Sequence, residues 1–267
     1  MYERINIVLF IIADCLRGGC MKTNIVMPAY GAPELTERSV RSILNNTHHD
    51  FKLIVVNNGL SETDEVMKDF LGHPNLLYLV VEKNQGCGYG RNIGMKEVDD
   101  KFDYLFIVDS DIYVPKNWDK KMVDFMEKNK NVGLAGPSTN YAGSPQLVKD
   151  CPELETDEAI EDFTIQFEKL SRGHSICYPH WPVIGFCQIM RKEVFDKIGF
   201  FDEKFKFYGC EDNDYCWRVQ CHGWDLAYLH DIFVYHHGHG GFNLLSGEEI
   251  NHWGKNRDYF KQKHGWV

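Results

Sequence analysis

The sequence predicts an α/β fold in which helices flank a mostly parallel central sheet. Two observations lead to this prediction: short apolar runs alternate with amphipathic stretches, and residues typical of turns and helix caps separate them. With 267 residues, of which 43% are hydrophobic, the chain is long enough to bury a large core. Its composition excludes collagen-like, disordered and membrane-spanning proteins.

The first half of the chain is predicted to contain repeated strand and helix units. Pro33 favours the first turn of a helix, and Ser61 is a residue type that caps helix N-termini. The run Tyr104–Val108 is almost wholly apolar, which indicates a central strand buried on both faces. The predicted strands are 25–27, 53–56, 76–81 and 104–108, and the predicted helices are 33–46, 61–70 and 90–98.

The second half is predicted to continue the same domain, because it contains no internal repeat, low-complexity tract or linker. Residues 150–172 are acidic and helical in pattern, whereas residues 173–182 are typical of a loop. The other predicted helices are 118–129, 192–198, 211–222 and one beyond Gly247, and the predicted strands are 132–135, 183–190 and 231–235.

Residues 1–20 are predicted to be an extension of the domain. Residues 5–12 are apolar, but Asp14 and Arg17 interrupt them well before the roughly 20 residues that span a bilayer. No cleavage site of the signal-peptide type follows. Met21 precedes a clean strand, so translation of the natural protein is expected to begin there. An extra edge strand and a segment that touches a membrane are the alternatives.

Charge and cysteine content restrict the class of protein. The formal net charge is −10, from 39 acidic and 29 basic residues, which argues against a nucleic-acid binder that needs a broad basic face. Nine cysteines are scattered without paired CxxC spacing. This pattern favours reduced thiols in a cytoplasmic enzyme over a secreted disulfide framework or a zinc ribbon.

Acidic side chains follow the predicted central strand, in the triplet Asp109-Ser110-Asp111. Open α/β sheets bind ligands at the carboxyl ends of their strands. Two carboxylates in the turn after a strand can converge on one cation, and hard oxygen ligands suit Mg²⁺ or Mn²⁺. A solvated turn is the alternative interpretation.

Histidines follow the predicted strand 231–235, at positions 236, 237 and 239. One imidazole with two carboxylates is a reasonable set of ligands for Mn²⁺. Zinc is less favoured, since it needs about four well-placed ligands. Histidines that hold no metal would form an ordinary surface cluster.

Two further carboxylates, Glu211 and Asp212, begin a predicted helix after a tight turn. The helix dipole favours acidic residues there for structural reasons alone. A carboxylate that faces a hydroxyl group can also serve as a general base. Asp214 and Arg218 lie four residues apart on the same helix and are predicted to form a structural ion pair.

A glycine-rich segment, residues 84–92, precedes another helix and contains Gly86, Gly88, Gly90 and Arg91. Its glycine spacing differs from the dinucleotide fingerprint, and it lacks the Gly-Lys-Ser/Thr of a P-loop. It is either a flexible loop and helix cap, or a place where backbone approaches a nucleotide with Arg91 near its charge.

Taken in order, these segments resemble the family 2 glycosyltransferases of GT-A fold. The resemblance runs from about residue 23 to 240, and it rests on residues 25–30, 55–59, 84–94, 109–111, 199–203 and 209–212. It implies a single domain of the Rossmann-like GT-A fold over residues 21–267. A nucleotide-binding half would cover about 21–112, and an acceptor-binding half about 113–267.

The resemblance also implies which residues bind the donor. Asn57 stands where many relatives place an Asp that contacts the base, and its amide oxygen can accept a hydrogen bond from a uracil-like N3–H. The donor nucleotide would contact Pro28, Ala29, Tyr30, Asn57, Gly86, Arg91, Asp109 and Ser110. The donor sugar and the acceptor would be bordered by Trp181, Gly185 and Phe186.

For the chemistry, the resemblance implies Asp111 as the principal metal ligand, with Asp109 as a ribose or metal contact. His236 would be a further ligand, with His237 and His239 as alternatives. Asp212 matches the catalytic base of the family, and Glu211 beside it is the alternative.

The predicted function is an inverting, metal-dependent transfer of a sugar from a UDP-, GDP- or TDP-linked donor to a hydroxyl of a glycan or other acceptor, with Mn²⁺ or Mg²⁺ as cofactor. No nucleic-acid partner and no transmembrane segment are expected, and the inner face of a membrane remains open as a peripheral location. The rival interpretations are a metal-dependent nucleotide-sugar phosphohydrolase or nucleotidyltransferase and a non-catalytic sugar-nucleotide binding module. The pair Glu211 and Asp212 disfavours the binding module.

Overall fold

The computed structural model describes residues 21–143, 145–177, 182–238, 240 and 244–265. The predictions for residues 1–20, for Trp181 and for His239 concern positions outside these ranges.

An eight-stranded sheet forms the centre of the described chain, in the order β3-β2-β1-β4-β8-β6-β9-β7. Its strands are β1 (Lys22–Ala29), β2 (Asp50–Asn57), β3 (Leu76–Val80), β4 (Tyr104–Val108), β6 (Val132–Ser138), β7 (Ile176–Cys177), β8 (Cys187–Arg191) and β9 (Asp225–Phe233). A short antiparallel ribbon pairs β5 (Ile112–Tyr113) with β10 (Tyr235–His236).

The sheet is mixed, with more parallel than antiparallel pairs. Strands β1, β2, β3 and β4 pair in parallel, as do β6 and β9. Strand β8 is antiparallel to both β4 and β6, and β7 is antiparallel to β9. The prediction of a mostly parallel sheet is therefore confirmed.

Helices cover both faces of this sheet. They are α1 (Pro33–Asn46), α2 (Ser61–Met67, continued by a 3₁₀ turn at Lys68–Phe70), α3 (Cys87–Met95), α4 (Trp118–Lys128), α5 (Asp157–Ser171), α6 (Lys192–Ile198), α7 (Glu211–Cys221), α8 (Gly247–Ile250) and α9 (His252–His264). No helix within the described ranges is both long and apolar enough to cross a membrane.

The two faces of β4 show how the core is divided. Successive side chains of a strand point to opposite faces. Tyr104, Phe106 and Val108 pack in the cluster that includes α1 and α4, whereas Leu105 and Ile107 pack in the cluster that includes α6 and α7. All five are at most 2% exposed. The predicted central strand, buried on both faces, is confirmed.

Several predicted boundaries were wrong, each for a local reason. The predicted strand 183–190 starts only at Cys187, because the preceding backbone turns to bond other groups: Val183 N–H donates to Cys216 Sγ. The predicted helix 150–172 starts at Asp157, where Thr156 caps it, and Pro152 stands in the irregular part.

The start of one further strand was predicted incorrectly, and another strand was not predicted. Strand β9 begins at Asp225, six positions before the predicted start at Asp231. The predicted start was wrong because the polar His230 and Asp231 interrupt the apolar pattern in the middle of the strand. Strand β7 lies within the predicted loop 173–182, where two residues are too few to show a pattern.

Helix α9 is fixed to the rest of the chain by charged contacts near its C-terminal end. Lys263 Nζ lies 2.8 Å from Asp202 Oδ2 and 2.6 Å from Asp214 Oδ1. His264 Nε2 lies 2.9 Å from Asp214 Oδ1, and the Tyr259 hydroxyl donates to Asp202 Oδ2 over 2.9 Å. Asp214 is fully buried, and it also makes the predicted ion pair with Arg218 at 2.9 Å.

Asp202→Asn is expected to destabilise the protein at neutral pH more than in acid. Burial alone would raise the pKa of Asp202, but hydrogen bonds from Lys263, Lys204 N–H and Tyr259 lower it to about 2. A carboxyl whose pKa is lower in the folded state stabilises the fold above its unfolded pKa, and this contribution is lost as pH falls towards about 2. We expect a loss of about 1–2 kcal/mol in the free energy of unfolding at pH 7.

Urea unfolding of the wild type and the variant between pH 7 and pH 3 measures this difference. The gap should narrow steadily below about pH 4, the ordinary pKa of an Asp. A gap that stays constant with pH would show that Asp202 acts through packing and not through its charge.

Candidate active site

A cavity of about 380 Å³ lies at the carboxyl ends of β1 and β4. Seven residues predicted from the sequence line it: Pro28, Ala29, Tyr30, Asp109, Ser110, Asp111 and His236. Other residues, which were not named as individual site residues from the sequence, also line it, among them Asn58, Asn84, Cys87, Tyr141, Phe207 and Tyr208. The structure thus brings together two strand ends, the β10 ribbon and a loop before α7.

A cluster of possible metal ligands occupies one wall of this cavity. One ligand atom each from Asp109, Asp111 and His236 lies within 4.8 Å of the other two. Two carboxylates and one imidazole form a donor set that fits Mn²⁺ or Mg²⁺. Among the described residues, this is the one group of three or more His, Cys, Asp or Glu side chains with such spacing.

His236 is fixed in place by contacts on several sides. Its Nδ1 lies 2.7 Å from Tyr141 O and donates to that carbonyl, while its Nε2 lies 3.2 Å from Asp111 Oδ1. In the protonated imidazole Nε2 donates to the carboxylate, and in the neutral imidazole Nε2 offers its lone pair to a cation. Phe186 stacks on the imidazole at 5.2 Å. The Asn140 side chain accepts from His236 N–H and donates to His236 O. These contacts aim Nε2 at the carboxylates.

His237 points elsewhere. It is exposed, and its ring Nδ1 lies 3.1 Å from Gly238 O, while its backbone N–H donates to Asp111 O. Of the two described histidines that the sequence left open as ligands, the structure brings His236 to the carboxylates.

Helix α1 positions the turn that carries Asp111. Ser39 Oγ donates to Ile112 O over 2.7 Å and accepts from Ile112 N–H over 3.0 Å. Ser42 Oγ accepts from Val114 N–H. Asp109 N–H donates to Phe186 O. The buried serines therefore satisfy backbone groups of residues 112 and 114 that do not bond β10, and together with Phe186 O they hold the backbone on either side of the two carboxylates.

The pKa values of the three groups move in opposite directions. Burial, reinforced by the charge of Asp111, raises the pKa of Asp109 even though Arg91 opposes this. Burial would raise the pKa of Asp111 too, but the hydrogen bond with His236 lowers it. The same bond raises the pKa of His236 against the effect of burial. Closely spaced negative groups of this kind favour a bound cation.

Arg91 lies behind the cavity and is only 2% exposed. Its Nη1 lies 3.0 Å from Glu211 Oε1, and its Nη2 lies 3.1 Å from both Asp109 Oδ1 and Gly185 O. The sequence predicts Arg91 near the charge of the nucleotide. The structure instead uses its guanidinium to join a metal-ligand candidate to the start of α7.

The two carboxylates at the start of α7 have different surroundings. Glu211 is 6% exposed, whereas Asp212 is partly exposed and accepts a hydrogen bond from Gly185 N–H over 3.0 Å. Burial, followed by the charge of Asp212, raises the pKa of Glu211 to about 7 in spite of Arg91. Asp212 is therefore the more accessible of the two to another molecule.

Asn57 is placed differently from the expectation that it contacts a base. It is 1% exposed, and its side chain bonds Leu60 N–H and Leu60 O in the turn after β2 and Asp64 Oδ1 in α2. The next residue, Asn58, lines the cavity and donates to Asn84 Oδ1 and Gly86 O. Adjacent residues of an extended backbone face opposite sides, so an offset of one position exchanges their environments.

The glycine-rich segment packs against protein backbone at Gly86. A Cβ on Gly86, whose φ is +108°, would lie 2.4 Å from Phe207 N, and Cys87 N–H donates to Phe207 O over 2.7 Å. A Cβ on Gly94 would lie 2.5 Å from a methyl group of Val26, so this glycine lets α3 approach β1. The glycines thus serve close packing.

Gly185 and Phe186 were expected to border the donor sugar and the acceptor. In the structure Gly185 bonds Arg91 and Asp212 through its backbone, and Phe186 is 1% exposed beneath His236. Both residues hold site residues in place.

Comparison with known proteins agrees with this arrangement. The family model "Glycosyl transferase family 2" matches residues 24–199, and a second model, "N-terminal domain of galactosyltransferase", matches residues 168–239. A chondroitin synthase of Escherichia coli is 24% identical over 239 residues, which cover 80% of this chain and 34% of that protein. The chain thus spans about a third of the length of this curated relative.

Solved structures show the same fold. The S. aureus TarS fragment 1–349 in complex with UDP superposes with a TM-score of 0.58 at 17% identity, covering 80% of this chain and 60% of that one. GalNAc-T7 with UDP, GalNAc and Mn²⁺ superposes with a TM-score of 0.61 at 17% identity, covering 91% of this chain and 50% of that one. These likenesses establish the GT-A fold, and the match to residues 24–199 shows that the chain belongs to glycosyl transferase family 2.

Proposed function

We propose that this chain transfers a sugar from a nucleoside diphosphate sugar to a hydroxyl group of a glycan, in one displacement that inverts the anomeric configuration. The observation that carries the proposal is the cluster of Asp109, Asp111 and His236 on the wall of a cavity that also contains Pro28 and Tyr30. This arrangement combines a place for a cation that binds the diphosphate with a place for the nucleobase of the donor.

Support for a UDP-linked donor comes from the structural neighbours, since the TarS and GalNAc-T7 structures both contain UDP. Support for a glycan acceptor comes from the relative that is named a chondroitin synthase. The Mn²⁺ in the GalNAc-T7 structure supports a divalent cation, which Asp109, Asp111 and His236 would hold in this chain. When bound, such a cation would neutralise charge on the departing nucleoside diphosphate.

The chain itself would supply the general base that removes a proton from the acceptor. In the proposed reaction the acceptor oxygen bonds to the anomeric carbon, the bond from that carbon to the diphosphate oxygen breaks, and Asp212 takes the hydroxyl proton. The hydrogen bond from Gly185 N–H holds the Asp212 carboxylate, and Arg91 ties the adjacent Glu211 to Asp109. One buried guanidinium therefore connects Asp109, on the metal side of the site, with Glu211 and Gly185, the neighbour and the hydrogen-bond donor of the proposed general base.

A screen of UDP-, GDP- and TDP-linked sugars with a panel of glycan acceptors tests the proposal. We expect UDP release that depends on the acceptor, stops with EDTA and returns with Mn²⁺. Release at the same rate without any acceptor would instead indicate a phosphohydrolase. No release with any donor and acceptor would contradict the proposed transfer.

A further inference from the structure

The loop at residues 206–210, called here the base loop, connects the cavity wall to the start of α7. Phe207 and Tyr208 line the cavity, and Glu211 and Asp212 follow the loop directly. A movement of this loop would therefore displace the wall of the proposed donor site and the proposed base together.

The backbone of the base loop is unfavourable by itself. Phe207 has φ +57° and Cys210 has φ +70°, a left-handed conformation that residues with a Cβ seldom adopt. Gly209 between them has φ +91°. Such conformations persist only where surrounding contacts hold them, so the loop depends on its neighbours.

The base loop is held on two sides. On one side the glycine-rich segment contributes the bond from Cys87 N–H to Phe207 O. On the other side Asn256 of α9, which is 2% exposed, bonds only loop backbone through its side chain. Asn256 Oδ1 accepts from Lys206 N–H over 3.1 Å, and Nδ2 donates to Lys206 O over 2.7 Å and to Tyr208 O over 2.9 Å.

This set of bonds requires an amide. The Asn side chain offers two N–H donors and one oxygen acceptor, and all three are used here on one stretch of backbone. A carboxylate of the same size has no donors, and it would face the Lys206 and Tyr208 carbonyl oxygens.

Helix α9 makes further contacts on both sides of Asn256. The Trp253 ring packs on the backbone of Gly209, where a Cβ would lie 2.6 Å from Trp253 Cδ1. The His252 and Phe207 rings are 5.0 Å apart. Towards the C-terminal end, Lys263 and His264 bind Asp214 of α7. The helix thus spans from the base loop to the body of α7.

We propose that α9 is a clamp that holds the base loop in its catalytic position, with Asn256 as the positioning residue. The two family models end at residues 199 and 239, before this helix begins, so neither assigns it a role. The inference rests on the proposed function for its effect on catalysis, but the clamp itself is a property of the folded chain.

Asn256→Asp, Asn256→Ala and Lys255→Ala test this proposal, the last as an exposed control on the same helix. In Asn256→Asp, hydrogen exchange of the Lys206 and Cys87 amides should accelerate by about tenfold or more, while central-strand amides keep their rates within about twofold. The kcat should fall by about tenfold or more, with a smaller rise in donor KM. Lys255→Ala should behave as wild type.

The hydrogen-exchange rates test whether Asn256 holds the base loop, and the kinetics test whether the position of the loop matters for catalysis. Equal acceleration of loop and strand amides would overturn the proposal, since Asn256 would then contribute only to global stability. Faster loop exchange with an unchanged kcat would also overturn it, because the loop position would not matter for catalysis. A wild-type chain without sugar transfer would overturn the proposed function, and the exchange rates would still decide whether Asn256 holds the loop.

Discussion

Asp111→Asn is expected to weaken Mn²⁺ binding by at least about 100-fold, because mutation of residues that merely orient metal ligands already costs about 10- to 100-fold. Asp111 lies between His236 Nε2 and Gly240 N–H, and its carboxylate is one of three clustered ligand groups. Asn keeps nearly the same shape but removes the negative charge. The variant should therefore keep the fold and lose the cation.

Electron paramagnetic resonance of free Mn²⁺ measures this affinity directly, and calorimetry measures UDP binding with and without the metal. In the wild type, Mn²⁺ should strengthen UDP binding, whereas in Asp111→Asn it should have no effect. Asp100→Asn is the matched control, since Asp100 is exposed and precedes β4. Unchanged Mn²⁺ affinity in the Asp111 variant would remove Asp111 from the metal site.

The parts of the fold that the sequence predicted well are those with a local pattern. Helix α1 runs from Pro33 to Asn46, as predicted, because a proline marks its start and apolar spacing marks its buried face. Strand β4 was recognised from five apolar residues in succession. The start of strand β8 was predicted too early, at residue 183 instead of Cys187, since the point where it begins to pair with β4 and β6 is not marked in its own sequence.

In the candidate site, too, the residues that follow a local sequence pattern were predicted, and those that depend on distant contacts were not. Asp109, Asp111 and His236 could be proposed because each follows a predicted strand. The contact of Arg91 with Glu211 joins positions 120 residues apart, and no local spacing predicts it. Phe207 reaches the cavity only because Gly86 admits its backbone at close range. Residues brought in by loop contacts of this kind lack a periodic signal.

Asp212→Asn is expected to lower kcat by about 10²–10⁴-fold, the range typical for loss of a general base. Asn can still accept the hydrogen bond from Gly185 N–H, so the fold and the binding of UDP with Mn²⁺ should remain as in the wild type. Steady-state kinetics with saturating donor, together with UDP titrations, measure the two quantities separately.

The variant Glu211→Gln, compared with Asp212→Asn, shows which of the two carboxylates is the general base. Because the pKa of Glu211 is raised to about 7, its protonated form, which Gln resembles, is already populated at neutral pH. The Gln amide oxygen can still accept from Arg91 Nη1, so kcat should stay within about tenfold of the wild type. If Glu211→Gln abolished transfer while Asp212→Asn retained it, the base would be Glu211. The buried pair with Arg91 would then have to open during each catalytic cycle, since Glu211 is only 6% exposed in the closed arrangement.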